Sequence, residues 1–221
     1  MLKMAKEKVE DEGESKMDKT IYRMGFWTAL VAFVAAAGYS VFQILQIVGL
    51  LGRPWDEILI YGSSLLIATP FMLALLALHQ VTPDDRRFWS SAAVIFAVIY
   101  VVYVTLNYAV QLTAVLPYED PDPVLIQTPH SLFWTVDALG YIALGFATLF
   151  AIPLFERKGL ERWVRRFFLA NGLIIPLFVI VYFYPHFSTR LLLLGLPWVV
   201  TAPGSMLMLA LYFRRGGGPE G

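Results

Sequence analysis

The sequence contains no cysteine among its 221 residues. Disulfide bonds, thiolate nucleophiles, iron–sulfur clusters and cysteine-ligated zinc sites are therefore excluded. Glycine-rich phosphate loops, nucleophile elbows and the H-E-x-x-H zinc motif are also missing. The histidines, His79, His130 and His186, are too far apart in sequence to form a helical metal-binding pair. We therefore expect neither a cofactor nor a metal ion.

Charge is scarce as well. Charged residues make up 15% of the sequence, whereas 58% of the residues are hydrophobic. A mean hydropathy of +0.63 is too high for a domain whose surface faces water. Lys+Arg and Asp+Glu are equal at 17 each, so no basic excess indicates a nucleic-acid partner. The composition predicts an integral membrane protein whose main partner is the lipid bilayer.

Six apolar segments reach the length of about 20 residues that a helix needs to cross a bilayer. They cover residues 25–52, 57–80, 88–116, 131–154, 164–184 and 190–213. Turn-forming glycine, proline and aspartate residues separate them. The predicted fold is therefore all-α, an integral membrane bundle of six transmembrane helices within residues 24–213. A charged cytoplasmic tail, residues 1–23, precedes this bundle, and a flexible tail, residues 214–221, follows it.

Basic residues are concentrated on one side of this topology. The N-terminal tail carries six lysines and arginines, the second loop two, the fourth loop five and the C-terminus two, which is 15 of the 17. Only Arg53 and Arg190 fall on the other side. Because cytoplasmic segments are enriched in lysine and arginine, we expect a protein of the cell membrane with both termini in the cytoplasm.

The two halves of the sequence share a weak internal similarity. Phe26-Trp27-Thr28 and Phe133-Trp134-Thr135 are 107 positions apart, and the same offset pairs Gly38 with Gly145. With three helices per half, the second half would enter the membrane from the opposite side, as in the inverted repeats of several transporter folds. A 3+3 inverted repeat is one hypothesis. The alternative is that these aromatic residues only mark the membrane interfaces.

A small set of polar residues occurs at helical spacing within the apolar segments. The set consists of Tyr103, Asn107 and Gln111 in the third segment, Asp137 and Tyr141 in the fourth, and Gln43 and Gln46 in the first. Counting about 1.5 Å per residue places Gln46, Gln111 and Asp137 roughly 7–10 Å below the outer interface. Asp137 is the one residue in the apolar cores that normally carries a charge, and such a residue is costly to keep in lipid.

Two hypotheses explain this polar set. In one, the amides and tyrosines only cross-link helices. In the other, they line a pocket in the outer half, where Asp137 binds a cation or passes a proton while Asn107 and Gln111 orient a polar group. The second hypothesis predicts a non-enzymatic membrane protein that binds a small polar or amphipathic ligand or ion. A stronger version of this hypothesis predicts that the protein also transports that ligand or ion.

Two further functions remain open at this point. An accessory subunit would pack its small-residue and aromatic faces against a second copy or another membrane protein. An intramembrane enzyme would use Asp137 with His130 or His186 as acid and base, but the sequence offers it neither a nucleophile nor a metal site.

Overall fold

The computed structural model describes residues 2–216, and it describes side-chain surroundings for residues 19–188 and 190–216. Secondary structure in this part of the chain is helical throughout, with no strand. Six of its helical stretches are long and apolar enough to span a membrane, as expected of a multi-pass membrane protein. The end of the predicted C-terminal tail, residues 217–221, lies outside the described residues.

The helices fall into six candidate spans. The α-helices are α1 Leu2–Ile47, α2 Trp55–Gln80, α3 Arg87–Val110, α4 Leu132–Ala151, α5 Glu161–Gly172, α6 Ile175–Phe183, α7 Thr189–Leu192 and α8 Trp198–Gly216. A π-helical turn, Gln111–Val115, continues α3, and 3-10 turns cover Asp84–Arg86, Ile152–Leu154 and Leu193–Gly195. The spans are Lys19–Ile47, Trp55–Gln80, Asp84–Val115, Leu132–Leu154, Glu161–Phe183 and Arg190–Gly216. Helix α1 thus begins within the segment predicted as a charged tail.

The fifth and sixth spans are each interrupted, whereas the sequence predicts them as single segments. In the fifth span, α5 ends at Gly172 and α6 begins one residue before Pro176. In the sixth span, Pro197 separates the 3-10 turn from α8. Proline has no N–H to donate and its ring clashes with the preceding turn, so both breaks occur where a continuous helix would lose backbone hydrogen bonds.

The six spans form a closed ring. Helix α1 contacts α2 and α8, α3 contacts α2 and α4, and α5 contacts α4 and α8. Because the number of spans is even, the N-terminal end of the first span and the C-terminal end of the last span lie on the same face of the ring. The rings of Tyr22 and Phe213 meet there, with centroids 6.0 Å apart. We call this face of the ring the terminal end. The opposite face, which carries the loops of residues 48–54, 116–131 and 184–188, is the distal end.

Small residues allow the spans to approach one another closely. In α1, Ala32 and Ala36 are fully buried, and the Ser40 hydroxyl donates a hydrogen bond to the carbonyl of Val199 at 2.9 Å. Ala32, Ala36 and Ser40 recur every four residues and so form one small-residue ridge along α1. The ridge therefore packs against a helix of the same chain.

Large apolar side chains cover the outside of the ring. Leu66, Ile95 and Val200 are each more than half exposed. Such a surface would be a liability in water, but lipid tails accept it without cost. The distribution of apolar residues therefore agrees with the membrane class.

Candidate functional site

Asp137 is buried inside the ring, with 3% of its surface exposed. Its Oδ1 accepts hydrogen bonds from the Tyr108 hydroxyl at 2.7 Å and the Asn107 amide at 3.2 Å. Its Oδ2 accepts a hydrogen bond from the Tyr182 hydroxyl at 2.6 Å. The donors lie on α3 and α6, so the carboxyl group joins three helices. No ion pair among the described residues involves Asp137.

The start of α4 determines which way Asp137 faces. Ser131 caps this helix, because its Oγ accepts a hydrogen bond from the Trp134 N–H at 3.2 Å. Two turns of helix follow, and residues four apart then share a face, so Asp137 and Tyr141 both point into the ring. The cap occurs at the position where the sequence predicts the fourth segment to begin.

Tyrosine hydroxyls connect Asp137 to α1. The hydroxyl oxygen of Tyr108 lies 3.4 Å from that of Tyr141, which in turn lies 3.1 Å from that of Tyr39. The Tyr39 hydroxyl donates a hydrogen bond to Gln43 Oε1 at 3.1 Å. All three tyrosines are buried. Residues of α1, α3 and α4 that are far apart in sequence therefore share one hydrogen-bonded network.

The network continues to a second carboxyl group, that of Asp56 near the start of α2. Gln43 Nε2 donates to Gln46 Oε1 at 2.9 Å, and Gln46 Nε2 donates to Asp56 Oδ2 at 2.9 Å. Asp56 is 7% exposed, and its Oδ1 has no hydrogen-bond partner within the described chain. A buried acceptor without a partner is rare and costs free energy. The network thus runs between two carboxyl groups, and that of Asp56 has one oxygen without a hydrogen-bond partner.

An ion pair lies beside Asp56 at the distal end. Arg53 Nη2 is 2.7 Å from Glu57 Oε1. The hydrogen bond to Glu57 raises the pKa of the Arg53 guanidinium above its usual value, and the negative charge of Asp56 adds to this rise. Arg53 therefore remains protonated, and its closest anionic contact is Glu57 rather than the network.

The long loop between α3 and α4 is attached to the same network. The Gln111 side chain donates to the carbonyl of Leu125 at 2.8 Å and accepts from the Gln127 N–H at 3.2 Å. The Gln127 side-chain oxygen accepts a hydrogen bond from the Asn107 amide at 2.9 Å. Because Asn107 also contacts Asp137, a single amide joins the loop to the buried carboxyl group.

A cavity of about 400 Å³ lies beside this network at the distal end. Its aromatic lining comes from four helices and consists of Tyr39, Tyr141, Phe178, Tyr182 and Trp198. Tyr141 stacks on Phe178, with ring centroids 4.8 Å apart, and Trp198 meets Tyr141 edge-on at 5.2 Å. These contacts make the aromatic lining one packed cluster.

The rest of the cavity lining is partly polar and partly aliphatic. Gln43 and Gln46 contribute amide groups. The aliphatic part includes Ile47 and Leu193, each about half exposed, so the cavity is open on this side. Tyr182 both lines the cavity and donates to Asp137, so one hydroxyl group connects a lining residue to the buried carboxyl group.

The structure brings together most of the residues that the sequence predicts for the site. Asp137, Tyr141, Asn107, Gln43 and Gln46 belong to the network. Gln111 is buried next to it and holds the loop that Asn107 also contacts. Tyr103 is only partly buried and packs beside Gly140, and no hydrogen bond described here joins it to the others.

Four members of the network are missing from the predicted set: Tyr39, Asp56, Tyr108 and Tyr182. Tyr108 lies three residues before Gln111, so i,i+3 spacing could have identified it. Asp56 immediately precedes the predicted start of the second segment, so it falls outside the predicted membrane segments. Nothing in the sequence distinguishes Tyr39 or Tyr182 from tyrosines at membrane interfaces.

The histidines do not contribute to this site. His130 and His186 are exposed, and His79 Nδ1 lies 2.8 Å from the Ser90 hydroxyl in α3. Between residues 19 and 216, no group of three or more histidine, aspartate or glutamate side chains is placed to hold a metal ion.

Comparison with known proteins assigns no family to this chain. No protein-family model matches it, and comparisons with curated proteins and with solved structures find no similar chain. A function must therefore be argued from the chemistry of the site, because a fold alone does not define one.

Proposed function

We propose that this multi-pass membrane protein binds a small amphipathic ligand in the distal cavity and carries it across the membrane. The proposal depends on one observation: residues that line the cavity belong to a hydrogen-bonded network that reaches the buried carboxyl group of Asp137. Ionisable residues inside membrane helices are rare, and they generally mark ligand or ion pathways.

The size of the cavity supports binding rather than simple cross-linking of helices. Protein interiors are close-packed and contain few voids larger than a water molecule. A cavity of about 400 Å³ lies within the range of small-molecule sites. Polar groups that served only to join helices would not need this space beside them.

The interrupted spans support a transport role. Phe178 and Tyr182 belong to α6, and Leu193 and Trp198 lie on either side of the break before α8, so both discontinuous spans border the cavity. Discontinuous helices form the substrate sites of many secondary transporters, in which groups of helices rock against one another around the bound substrate. We assign the distal end to the outside, because the basic residues are concentrated near the terminal end.

The network residues then have distinct roles. Asp137 supplies the charge that the ligand senses, and Tyr141, Gln43 and Gln46 contact the ligand from the cavity wall. Asn107 and Gln111 hold the loop of residues 116–131 against the distal end of α3. This assignment separates the residues that contact the ligand from those that position the loop.

The experiment is a thermal-stability screen of the detergent-purified protein against ions, lipids and polar metabolites. A ligand that binds only the folded state raises the unfolding temperature. The matched variant is Gly195→Phe, which places a large side chain at the cavity wall, where a Cβ would make an ordinary contact with Phe178. The control is Gly62→Phe, at a position in α2 where a Cβ would meet nothing within 4 Å.

We expect one class of compound to stabilise the wild type and the Gly62→Phe control but not Gly195→Phe. If no compound stabilises the wild type, or if the same compounds stabilise Gly195→Phe as much as the wild type, the proposal is wrong.

The accessory-subunit alternative has weaker support. Its predicted packing surface consists of small-residue and aromatic faces, and the small residues Ala32, Ala36 and Ser40 of α1 are buried inside the chain, where Ser40 contacts α8. The remaining outer surface is aliphatic and aromatic in the way that lipid contact requires.

A further inference from the structure

The aromatic lining restricts the chemistry of the ligand. An aromatic ring is negatively polarised on its faces and attracts a cation that lies within about 6 Å of its centroid, with tryptophan the strongest. The Trp198 ring stands at 88° to Tyr141 and at 74° to Tyr39, so rings in different planes bound the same space. Several differently oriented rings around one cavity are the arrangement that recognises ammonium groups.

The ionisable members of the network are carboxyl groups, and none of the described basic side chains belongs to it. Asp56 and Asp137 are its acidic members, and no ion pair described for residues 19–216 involves either of them. Two buried acceptors of the network, Asp56 Oδ1 and Asn107 Oδ1, also lack a hydrogen-bond partner. Among the buried side-chain groups of the described residues, Trp198 Nε1 is the one donor without a partner. A buried negative charge is stabilised when a cation is placed near it, so an occupant of the cavity is favoured if it is positive.

The end of the ring at which the cavity opens is acidic. Its acidic residues are Asp56, Glu57, Glu119, Asp120 and Asp122, and its basic residues are Arg53 and Arg190. Arg53 is paired with Glu57. An excess of negative charge at this end of the ring raises the local concentration of cations and repels anions.

The rim of the cavity indicates that the ligand also has an apolar part. It includes Ile47, Leu192, Leu193 and Leu196, all of them exposed aliphatic side chains. A hydrocarbon body can cover these side chains while a charged group lies against the aromatic rings. A purely polar cation would leave this apolar surface uncovered.

From these features we infer that the cavity binds amphipathic organic cations, in which an ammonium group carries an alkyl or aryl body. This inference rests on the proposed function, because it names the class of ligand for the same cavity. The ammonium group lies in the cavity against the sides of Tyr39, Tyr141 and Trp198 that line it, and the hydrocarbon body extends toward the leucines of the rim. The buried carboxyl groups supply the opposite charge through the network and do not touch the ligand.

Two pairs of probes separate the effect of charge from that of shape. Choline and 3,3-dimethylbutan-1-ol have the same shape and differ in one atom, the charged nitrogen or its neutral carbon counterpart. Hexyltrimethylammonium and hexanesulfonate carry the same chain with opposite charges. Binding to the full-length protein in a nonionic detergent is measured by titration calorimetry, and the first pair is compared as competitors of hexyltrimethylammonium.

We expect hexyltrimethylammonium to bind and hexanesulfonate not to bind. Choline should compete at least about tenfold more strongly than its neutral counterpart, because contacts with several rings add to the shared apolar contacts. Trp198→Leu should reduce this preference to about threefold or less, whereas Trp198→Phe, which keeps a ring, should retain most of it. Trp27→Leu is the control, because Trp27 is exposed on the outside of the ring of helices.

Equal competition by choline and its neutral counterpart, or tighter binding of hexanesulfonate, would overturn the cationic class and leave the proposed function intact. Absence of binding by all four probes would also overturn it. The proposed function is tested separately by the thermal-stability screen with Gly195→Phe, because that screen uses compounds of every charge.

Discussion

Tyr182 in α6 donates a hydrogen bond of 2.6 Å to Asp137 in α4, and its ring lines the distal cavity. One side chain therefore contacts both the buried carboxyl group and the space that a ligand would fill. Because α6 begins just after the break in the fifth span, a movement of α6 would change this contact. The hydrogen bond is thus placed to link the wall of the cavity to the position of α6.

Tyr182→Phe tests the energetic importance of this bond. The variant keeps the ring and removes the donor to Asp137 Oδ2, so we expect the free energy of unfolding to fall by about 1–2 kcal/mol. The measurement is denaturant unfolding in detergent. Tyr184→Phe is the control, because Tyr184 is half exposed. Equal losses in the two variants would show that the hydrogen bond to Asp137 contributes nothing specific.

Gln111→Ala tests the attachment of the long distal loop. The variant removes the bonds to Leu125 and to the Gln127 N–H, so the Gln127 amide should exchange its hydrogen at least about fivefold faster, as expected for the loss of about 1 kcal/mol. Hydrogen exchange followed by mass spectrometry measures this change. Thr113→Ala, which removes an exposed hydroxyl on the same turn, should leave the exchange unchanged. An unchanged Gln127 amide in Gln111→Ala would contradict the assigned role.

Gly172→Ala tests the packing at the break in the fifth span. A Cβ at Gly172 would collide with the Leu149 side chain of α4, so Leu149 must move and the protein should lose about 1–3 kcal/mol of stability. Gly62→Ala is the control, since its Cβ would meet nothing within 4 Å and alanine favours the helix. Thermal unfolding of both variants checks the prediction. A Gly172→Ala protein as stable as the control would mean that α4 and α5 are not packed closely at this point.

The number of spans and the polar residues of α3 and α4 could be predicted from the sequence because both depend on local spacing. The length of an apolar run predicts a span, and side chains four apart share a face, as Asn107 and Gln111 do. The pairing of helices that are distant in sequence has no such local signal. The contact of Tyr39 with Tyr141, for example, depends on how the ring closes.

The prediction for the third segment shows the limit of simple spacing. The stripe of residues 103, 107 and 111 differs from the buried face of α3, which includes Tyr100, Val104, Asn107 and Tyr108 and continues to Gln111. An apolar helix in lipid has no water-facing side, so the direction of its inner face is poorly defined by composition. Spacing by four residues therefore selects Tyr103 and misses Tyr108. The 3+3 inverted repeat and the cytoplasmic position of both termini stay predictions.

Asp137→Asn tests the central claim most directly, because asparagine keeps the size of the side chain and removes its charge. Binding of hexyltrimethylammonium to the wild type and to this variant should be compared by titration calorimetry, with the circular dichroism spectrum confirming that both are folded. We expect the variant to remain folded and to bind at least about tenfold more weakly, since it lacks the negative charge that stabilises a cation near it. A folded Asp137→Asn protein that binds as tightly as the wild type would contradict a binding role for the buried carboxyl group.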